Sequence, residues 1–89
     1  MTVDIFSAIS NPVRIKLLMC LSEKPKSVNE LIQTCGMSQS AVSQHLAKLK
    51  KAGILDTKKE GKYVFYKLLY PEAAEVAFKV ESLSKEIEK

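Results

Sequence analysis

The chain has 89 residues, a hydrophobic fraction of 46% and a formal net charge of +4. This length predicts a single domain over residues 1–89, and the hydrophobic fraction is too high for a disordered chain. No apolar run approaches the ~20 residues that span a bilayer, and the N-terminus lacks the basic start of a secretory signal. Two cysteines do not make a disulfide framework. We therefore expect a cytoplasmic protein with reduced thiols and no membrane partner.

The positive charge is concentrated in the middle of the chain. Residues up to Tyr70 carry a net charge of +6, whereas those from Pro71 onward carry −2. The segment Lys48–Lys67 alone carries +5. A localised basic region is typical of nucleic-acid binding, although charge alone leaves a solvated lysine-rich surface equally open.

Two helices are predicted at the start of the chain. Residues 2–9 favour a short helix with Phe6 and Ile9 on one side. The pair Asn11 and Pro12 predicts the start of the next helix, since Asn is a good N-cap residue and proline fits the first helical position.

The next two helices are separated by a tight turn. Ser27 and Glu30 have the spacing of a capping box, and Gly36 fits the left-handed residue that ends a helix. Ser38 then caps a helix predicted over residues 38–51. Two short helices joined through a glycine-containing turn predict a helix-turn-helix.

The helix over residues 38–51 has two chemically different faces. Val42, Leu46 and Leu49 recur at helical spacing and form an apolar stripe. Its other face offers hydroxyl, amide and ammonium groups, and no carboxylate occurs between Glu30 and Asp56. Such a face suits the phosphates and base edges of DNA. Its residues are Ser40, Ser43, Gln44, Ala47 and Lys51.

A hairpin and a last helix complete the predicted order. Residues 54–59 and 63–69 favour two strands, joined at Gly61. The last helix, over residues 71–88, has apolar residues at spacings of 4, 3 and 4, as in a coiled-coil seam. We therefore predict a mainly α fold with a small β-hairpin, a winged helix-turn-helix in the order α-α-α-α-β-β-α.

The chain resembles the ArsR-type repressors over nearly its whole length. The resemblance is carried by Phe6–Leu18, which resembles the family's opening, by Met37–Leu46, which matches its recognition-helix signature, and by a wing-like segment from Gly53 to Leu68. It implies a homodimer that binds a pseudo-palindromic operator and represses transcription. The terminal helices 2–9 and 71–88 are the expected dimer interface. The interface candidates are Phe6, Ile9, Val76, Val80, Leu83 and Ile87.

The candidate DNA-binding residues fall into three groups. Those at the start of the recognition helix are expected to reach bases or adjacent phosphates, and those further along to reach phosphates. The lysines near the hairpin tip are expected to contact the flanking backbone or a minor groove. Taken singly, each of these residues fits an ordinary helix surface or a solvated hairpin equally well. The groups are Gln39, Ser40, Ser43 and Gln44; Lys48 and Lys51; and Lys58, Lys59 and Lys62.

The metal-binding residues of the best-known family members are not matched here. Ser27 and Asn29 stand where those members carry a Cys-x-Cys pair, and the last helix has five glutamates but no histidine. Carboxylates alone are poor ligands for soft or borderline metals, so we expect neither a metal nor another cofactor. The only histidine, His45, is better explained as a partly buried packing residue or a phosphate donor than as a metal ligand.

The two cysteines leave the regulatory signal open. Cys20 and Cys35 suit small apolar core positions, while the functional alternatives are a redox switch or a soft-metal site. An enzyme is not expected, because the chain has no nucleophile with a base and no phosphate loop. The alternative function is a winged-helix module that binds proteins and not DNA. Any small-molecule or redox effector is unknown at this level.

Overall fold

A computed structural model describes residues 4–88 of the chain. The helices and strands confirm the predicted winged helix-turn-helix order and add one short strand. In this part of the chain the helices are α1 (Ile5–Ile9), α2 (Pro12–Cys20), α3 (Val28–Cys35), α4 (Gln39–Lys51) and α5 (Glu72–Ile87). The strands are β1 (Lys26–Ser27), β2 (Leu55–Glu60) and β3 (Tyr63–Leu68).

The helix boundaries follow local capping chemistry. The Asn11 carboxamide oxygen accepts a hydrogen bond from the backbone N–H of Val13 at 2.8 Å, next to the proline that opens α2. Ser27 and Glu30 form the predicted capping box at the start of α3. Gly36 ends α3 with a φ of 69°, a left-handed conformation that glycine adopts without steric cost. The first predicted helix is shorter than expected, since α1 begins after Asp4, and residues 2 and 3 lie outside the described residues.

The sheet has three antiparallel strands in the order β1-β3-β2, so the predicted hairpin gains a strand on its β3 side. In the added strand, Lys26 pairs with Tyr66 and Ser27 with Phe65. A two-residue strand has no periodicity of its own, and it exists only because the fold places it beside β3.

The core lies between α2, α3, α4 and the base of the wing, and α1 and α5 contribute Ala8 and Ala77 to it. The predicted apolar stripe of α4 is confirmed, because Val42, Leu46 and Leu49 are all fully buried. They pack with Leu17 and Leu31 in one hydrophobic cluster. Burying this stripe turns the opposite, polar side of α4 outward. Across residues 4–88, no helix combines the length and apolarity that crossing a bilayer requires.

Candidate nucleic-acid interface

The outward side of α4 carries every recognition-helix residue predicted to contact DNA. All six are solvent-exposed, and α4 contains no acidic residue. The side chains that could read base edges lie in the first two turns, and the ammonium groups lie in the last two. The six are Gln39, Ser40, Ser43, Gln44, Lys48 and Lys51.

Both ends of α4 are held by side-chain hydrogen bonds. Ser38 caps the start, where its hydroxyl accepts from the backbone N–H of Ala41 at 3.3 Å. Near the other end, the Lys50 ammonium donates to the Thr57 hydroxyl of β2 at 3.3 Å. The second contact joins the C-terminal end of α4 to the wing, so both elements can approach one duplex together.

The wing lysines are not equivalent. Lys58 lies on the same face of β2 as Glu60 and forms an ion pair with it at 3.4 Å. Lys59 points to the other face, which it shares with Thr57, because side chains alternate along a strand. That second face is the one in contact with α4 through Lys50. Lys62, in the turn, lies 5.6 Å from the ring centre of Tyr63.

A recess of about 180 Å³ separates the start of α4 from the wing tip. Gln39 and Ser43 lie on one wall and Lys62 on another, so the structure brings predicted residues from both elements together. Asn29 and Tyr63 also line it and were not predicted as DNA-contacting residues. Nothing in the linear sequence indicates that these two are neighbours, because α3 and the wing meet only in the folded chain.

His45 lies on the flank of α4 and contacts α2. Its Nδ1 atom is 3.1 Å from an Arg14 guanidinium nitrogen. Burial lowers the pKa of His45 below its usual value, and the positive charges of Arg14 and Lys48 lower it further. The expectation of a partly buried packing residue agrees with this position. Its contact with Arg14 was not predicted. The sequence feature that could have indicated a buried polar contact was Arg14 itself, a charged residue within the apolar run of α2.

Five of the six predicted dimer-interface residues of α1 and α5 are exposed, and the sixth, Ile9, is half-buried. Ile9 lies beside both Val76 and Val80, so the two helices share one face. Phe6 is 79% exposed, Leu83 60% and Ile87 74%. A groove of about 190 Å³ continues this surface. Ile5 and Tyr70 line the groove and are exposed, although neither was predicted for the interface.

The two cysteines are joined to each other in the structure. Cys20 ends α2 and Cys35 ends α3, with 6.8 Å between their Cα atoms and a disulfide between their sulfurs. Both also pack against the hydrophobic core, as expected. The expectation of reduced thiols is therefore wrong for this structure. Sequence could not reveal the pairing, since 15 residues separate the two positions and only the packing of α2 on α3 brings them together.

The residues at the family's metal-ligand positions have other roles here. Ser27 is buried and caps α3, and Asn29 lines the recess beside α4. Among residues 4–88, no three histidine, cysteine or carboxylate side chains converge as metal ligands.

The model of the bacterial regulatory proteins of the arsR family matches residues 11–57. Among relatives, the transcriptional activator HlyU of Vibrio cholerae is 42% identical over 66 residues, covering 74% of this chain and 61% of HlyU. The regulator KmtR of Mycobacterium tuberculosis is 37% identical over 68 residues, covering 76% of this chain and 52% of KmtR. The chain thus spans between about half and two thirds of the length of these curated relatives.

Solved structures agree with the sequence matches. The structure of the repressor BigR from Xylella fastidiosa superposes with a TM-score of 0.78 at 35% identity, covering 88% of this chain and 80% of that one. HlyU from Vibrio cholerae gives a TM-score of 0.76 at 37% identity, covering 89% and 86%. Fold and relatives together show a winged-helix domain similar to those of bacterial transcriptional regulators. The chain belongs to the arsR family of bacterial regulatory proteins, which are not enzymes.

Proposed function

We propose that this chain acts as a homodimer that binds double-stranded DNA at a pseudo-palindromic operator and represses transcription. In this proposal the first two turns of α4 enter the major groove and the wing lies against the flanking backbone. A single domain over residues 1–89 would carry both the DNA-binding surface and the dimer interface. Helices α1 and α5 would form the interface between protomers.

The exposed side of α4 is the observation that carries this proposal. It combines four short hydroxyl or amide side chains with two lysines and contains no carboxylate. Gln can pair with adenine in a bidentate manner, and Ser can donate or accept at several base edges. The lysines would position the helix on phosphates without reading sequence, which makes the affinity dependent on salt.

The apolar surface on α1 and α5 supports the dimer. It exposes large apolar side chains of both helices, among them Phe6, Leu83 and Ile87, beside a groove lined by Ile9 and Val76. Exposed apolar side chains grouped in this way are typical of an interaction surface. In a symmetric dimer the same patch is used by both protomers, so α5 would pack against its own copy. Two-fold symmetry then places two recognition helices on successive major grooves, about one helical turn apart, which predicts a palindromic site.

The direction of regulation is part of the proposal. BigR is described as a repressor and HlyU as an activator. Blocking a promoter needs only occupancy of the operator, whereas activation also needs a surface for the transcription machinery. We therefore propose repression. A promoter-reporter assay tests it, with a duplex that the protein binds placed at the promoter. A repressor would lower reporter expression, whereas an activator would raise it.

The experiment that tests DNA binding starts with a random pool of duplexes. Bound sequences are selected on the purified protein, and filter binding of the recovered duplex is then repeated at two salt concentrations. A steep loss of binding with salt and a palindromic consensus support the proposal. No binding at low salt would contradict it and would favour the alternative, a winged-helix module that binds proteins.

A redox signal is a second component, favoured by the pairing of Cys20 with Cys35. Hydrogen peroxide can oxidise the two thiols to one disulfide, with its O–O bond cleaved and two water molecules formed. The bridge would join the ends of α2 and α3, next to the turn that leads into α4. The test is peroxide-dependent release of DNA by the parent protein and by a Cys20→Ala/Cys35→Ala variant. Release that is equal in both, or absent in the parent, would remove this component.

A further inference from the structure

Arg14 connects three helices through a single buried side chain. Its guanidinium is on α2, and the residue is only 6% exposed. Nε donates to the carbonyl oxygen of Ala8 at 2.5 Å, and Nη2 donates to that of Ser7 at 3.1 Å. Nη1 lies 3.1 Å from Nδ1 of His45. The guanidinium therefore holds the last turn of α1 on one side and the recognition helix α4 on the other.

This contact determines which nitrogen of His45 carries the proton. A guanidinium has only donors, so Nδ1 of His45 must be the acceptor and must be unprotonated. The neutral ring then carries its proton on Nε2. A second proton on Nδ1 would remove the acceptor and place a cation against a buried cation.

Among residues 4–88, the charged groups that act on His45 include no negative charge that would compensate a second proton. The charged groups that act on it are Arg14 of α2 and Lys48 of α4, both positive. On its α1 side the guanidinium donates to backbone carbonyl oxygens, and Asp4, the acid at the start of that helix, caps its own first turn. The contact is therefore compatible with a neutral imidazole and incompatible with a charged one.

We propose that Arg14 and His45 form a joint that sets the position of the recognition helix relative to α1, and that specific DNA binding requires His45 to be neutral. Both are positioning residues, because they act through the placement of α4. If α1 belongs to the dimer interface, the joint also sets the distance between the two recognition helices. The DNA part of this inference rests on the function proposed above.

The joint predicts an unusual sign for the pH dependence of binding. A histidine that simply faces phosphates gains charge in acid and binds DNA more tightly. Here protonation breaks the contact with Arg14, so affinity should fall in acid. If the bound state excludes the proton, the loss reaches up to about tenfold for each pH unit below the pKa of His45 in the free protein.

Three variants separate the joint from a general structural role. His45→Asn keeps an oxygen near the position of Nδ1 and does not titrate, so it should bind the selected duplex like the wild type at pH 7.5 and lose the acid dependence. His45→Leu has no acceptor for Arg14 and should bind more weakly at every pH. Arg14→Lys keeps the charge but cannot reach three acceptors in one plane, so it should also bind more weakly than the wild type at pH 7.5.

Nitrogen-15 NMR of the DNA-free protein tests the contact without DNA. His45 is the only histidine, so its ring signals are unambiguous. The expected result is a neutral ring protonated on Nε2 at pH 7.5, with Arg14→Lys shifting the tautomer balance. A ring protonated mainly on Nδ1 would overturn the joint.

The two measurements also distinguish this inference from the proposed function. If wild type and His45→Asn bind the selected duplex with the same pH profile, or if wild-type binding tightens in acid, the inference is wrong while DNA binding stands. If no duplex is selected, the proposed function fails, and with it the role of the joint in DNA binding. In that case the NMR result still confirms or refutes the contact itself.

Discussion

The exposed side of α4 and the exposed side of α5 differ in chemistry. Along α4, buried leucines lie opposite hydroxyl, amide and ammonium groups. Along α5, only small alanines such as Ala74 and Ala77 are buried, while larger residues such as Val80 and Leu83 face outward. A helix that buries its small residues and exposes its large ones has unused apolar surface.

This difference supports the two partners proposed for these surfaces, DNA for α4 and a second copy of the chain for α5, on different physical grounds. The exposed side of α4 would bind a polyanion most favourably, and the affinity of such a complex falls with rising salt concentration. The exposed side of α5 would be stabilised most by burying its apolar side chains, and the resulting association depends mainly on protein concentration. The four predictions below test this distinction.

The largest expected effect comes from removing the base-reading groups of α4. A Ser40→Ala/Ser43→Ala/Gln44→Ala variant should lose about a hundredfold or more in affinity for the selected duplex, since each good base contact contributes about 1–3 kcal/mol. Binding to random duplex should change little, because the lysines remain. Filter binding against both duplexes measures this. The matched control replaces Gln33 and Thr34, which are exposed on α3; an equal loss there would contradict the assignment.

The next effect concerns the apolar seam of α5. Leu83→Glu places a charge in the proposed interface, so the dimer dissociation constant should rise by at least about tenfold, because an unpaired charge resists burial. Sedimentation equilibrium measures the change. Ser82→Glu adds the same charge at an exposed neighbouring position of α5, about 100° around the helix. Dimerisation that responds equally to both substitutions would exclude this seam as the interface.

A smaller effect separates stability from recognition within α4. Ser38→Ala removes the oxygen that caps the helix and should lower the free energy of unfolding by about 1 kcal/mol. Ser40→Ala, two residues on, should leave stability within about 0.5 kcal/mol and weaken DNA binding. Urea denaturation and filter binding of the two variants measure this. If Ser40→Ala destabilised as much as Ser38→Ala, Ser40 would be acting on the fold and not on DNA.

The smallest effect distinguishes two neighbouring lysines of the wing. Lys59 lies on the face that meets α4, whereas Lys58 lies on the other face and is paired with Glu60. Lys59→Ala should therefore reduce the slope of log K against log salt by about 1, the value for one lost phosphate contact. Lys58→Ala should reduce it by clearly less. Equal slopes for the two variants would mean that the face of β2 on which a lysine lies does not determine whether it contacts a phosphate.

Local chemistry was sufficient to predict most of the secondary structure. The caps at Asn11, Ser27 and Ser38 and the left-handed glycine at Gly36 involve residues within a few positions of one another. For the same reason, the apolar stripe of α4 was identified correctly and with it the direction of the polar face. The winged helix-turn-helix order and the outward placement of the candidate residues on α4 followed from these local signals, whereas the ArsR type followed from the resemblance of particular segments to that family.

Contacts between residues distant in sequence were decided only by tertiary structure. The strand β1 exists because β3 lies beside it, and Cys20 meets Cys35 because α2 packs on α3. Arg14 reaches His45 across 31 positions. These pairings carry no periodic signal, since they depend on the angles and distances at which whole elements pack.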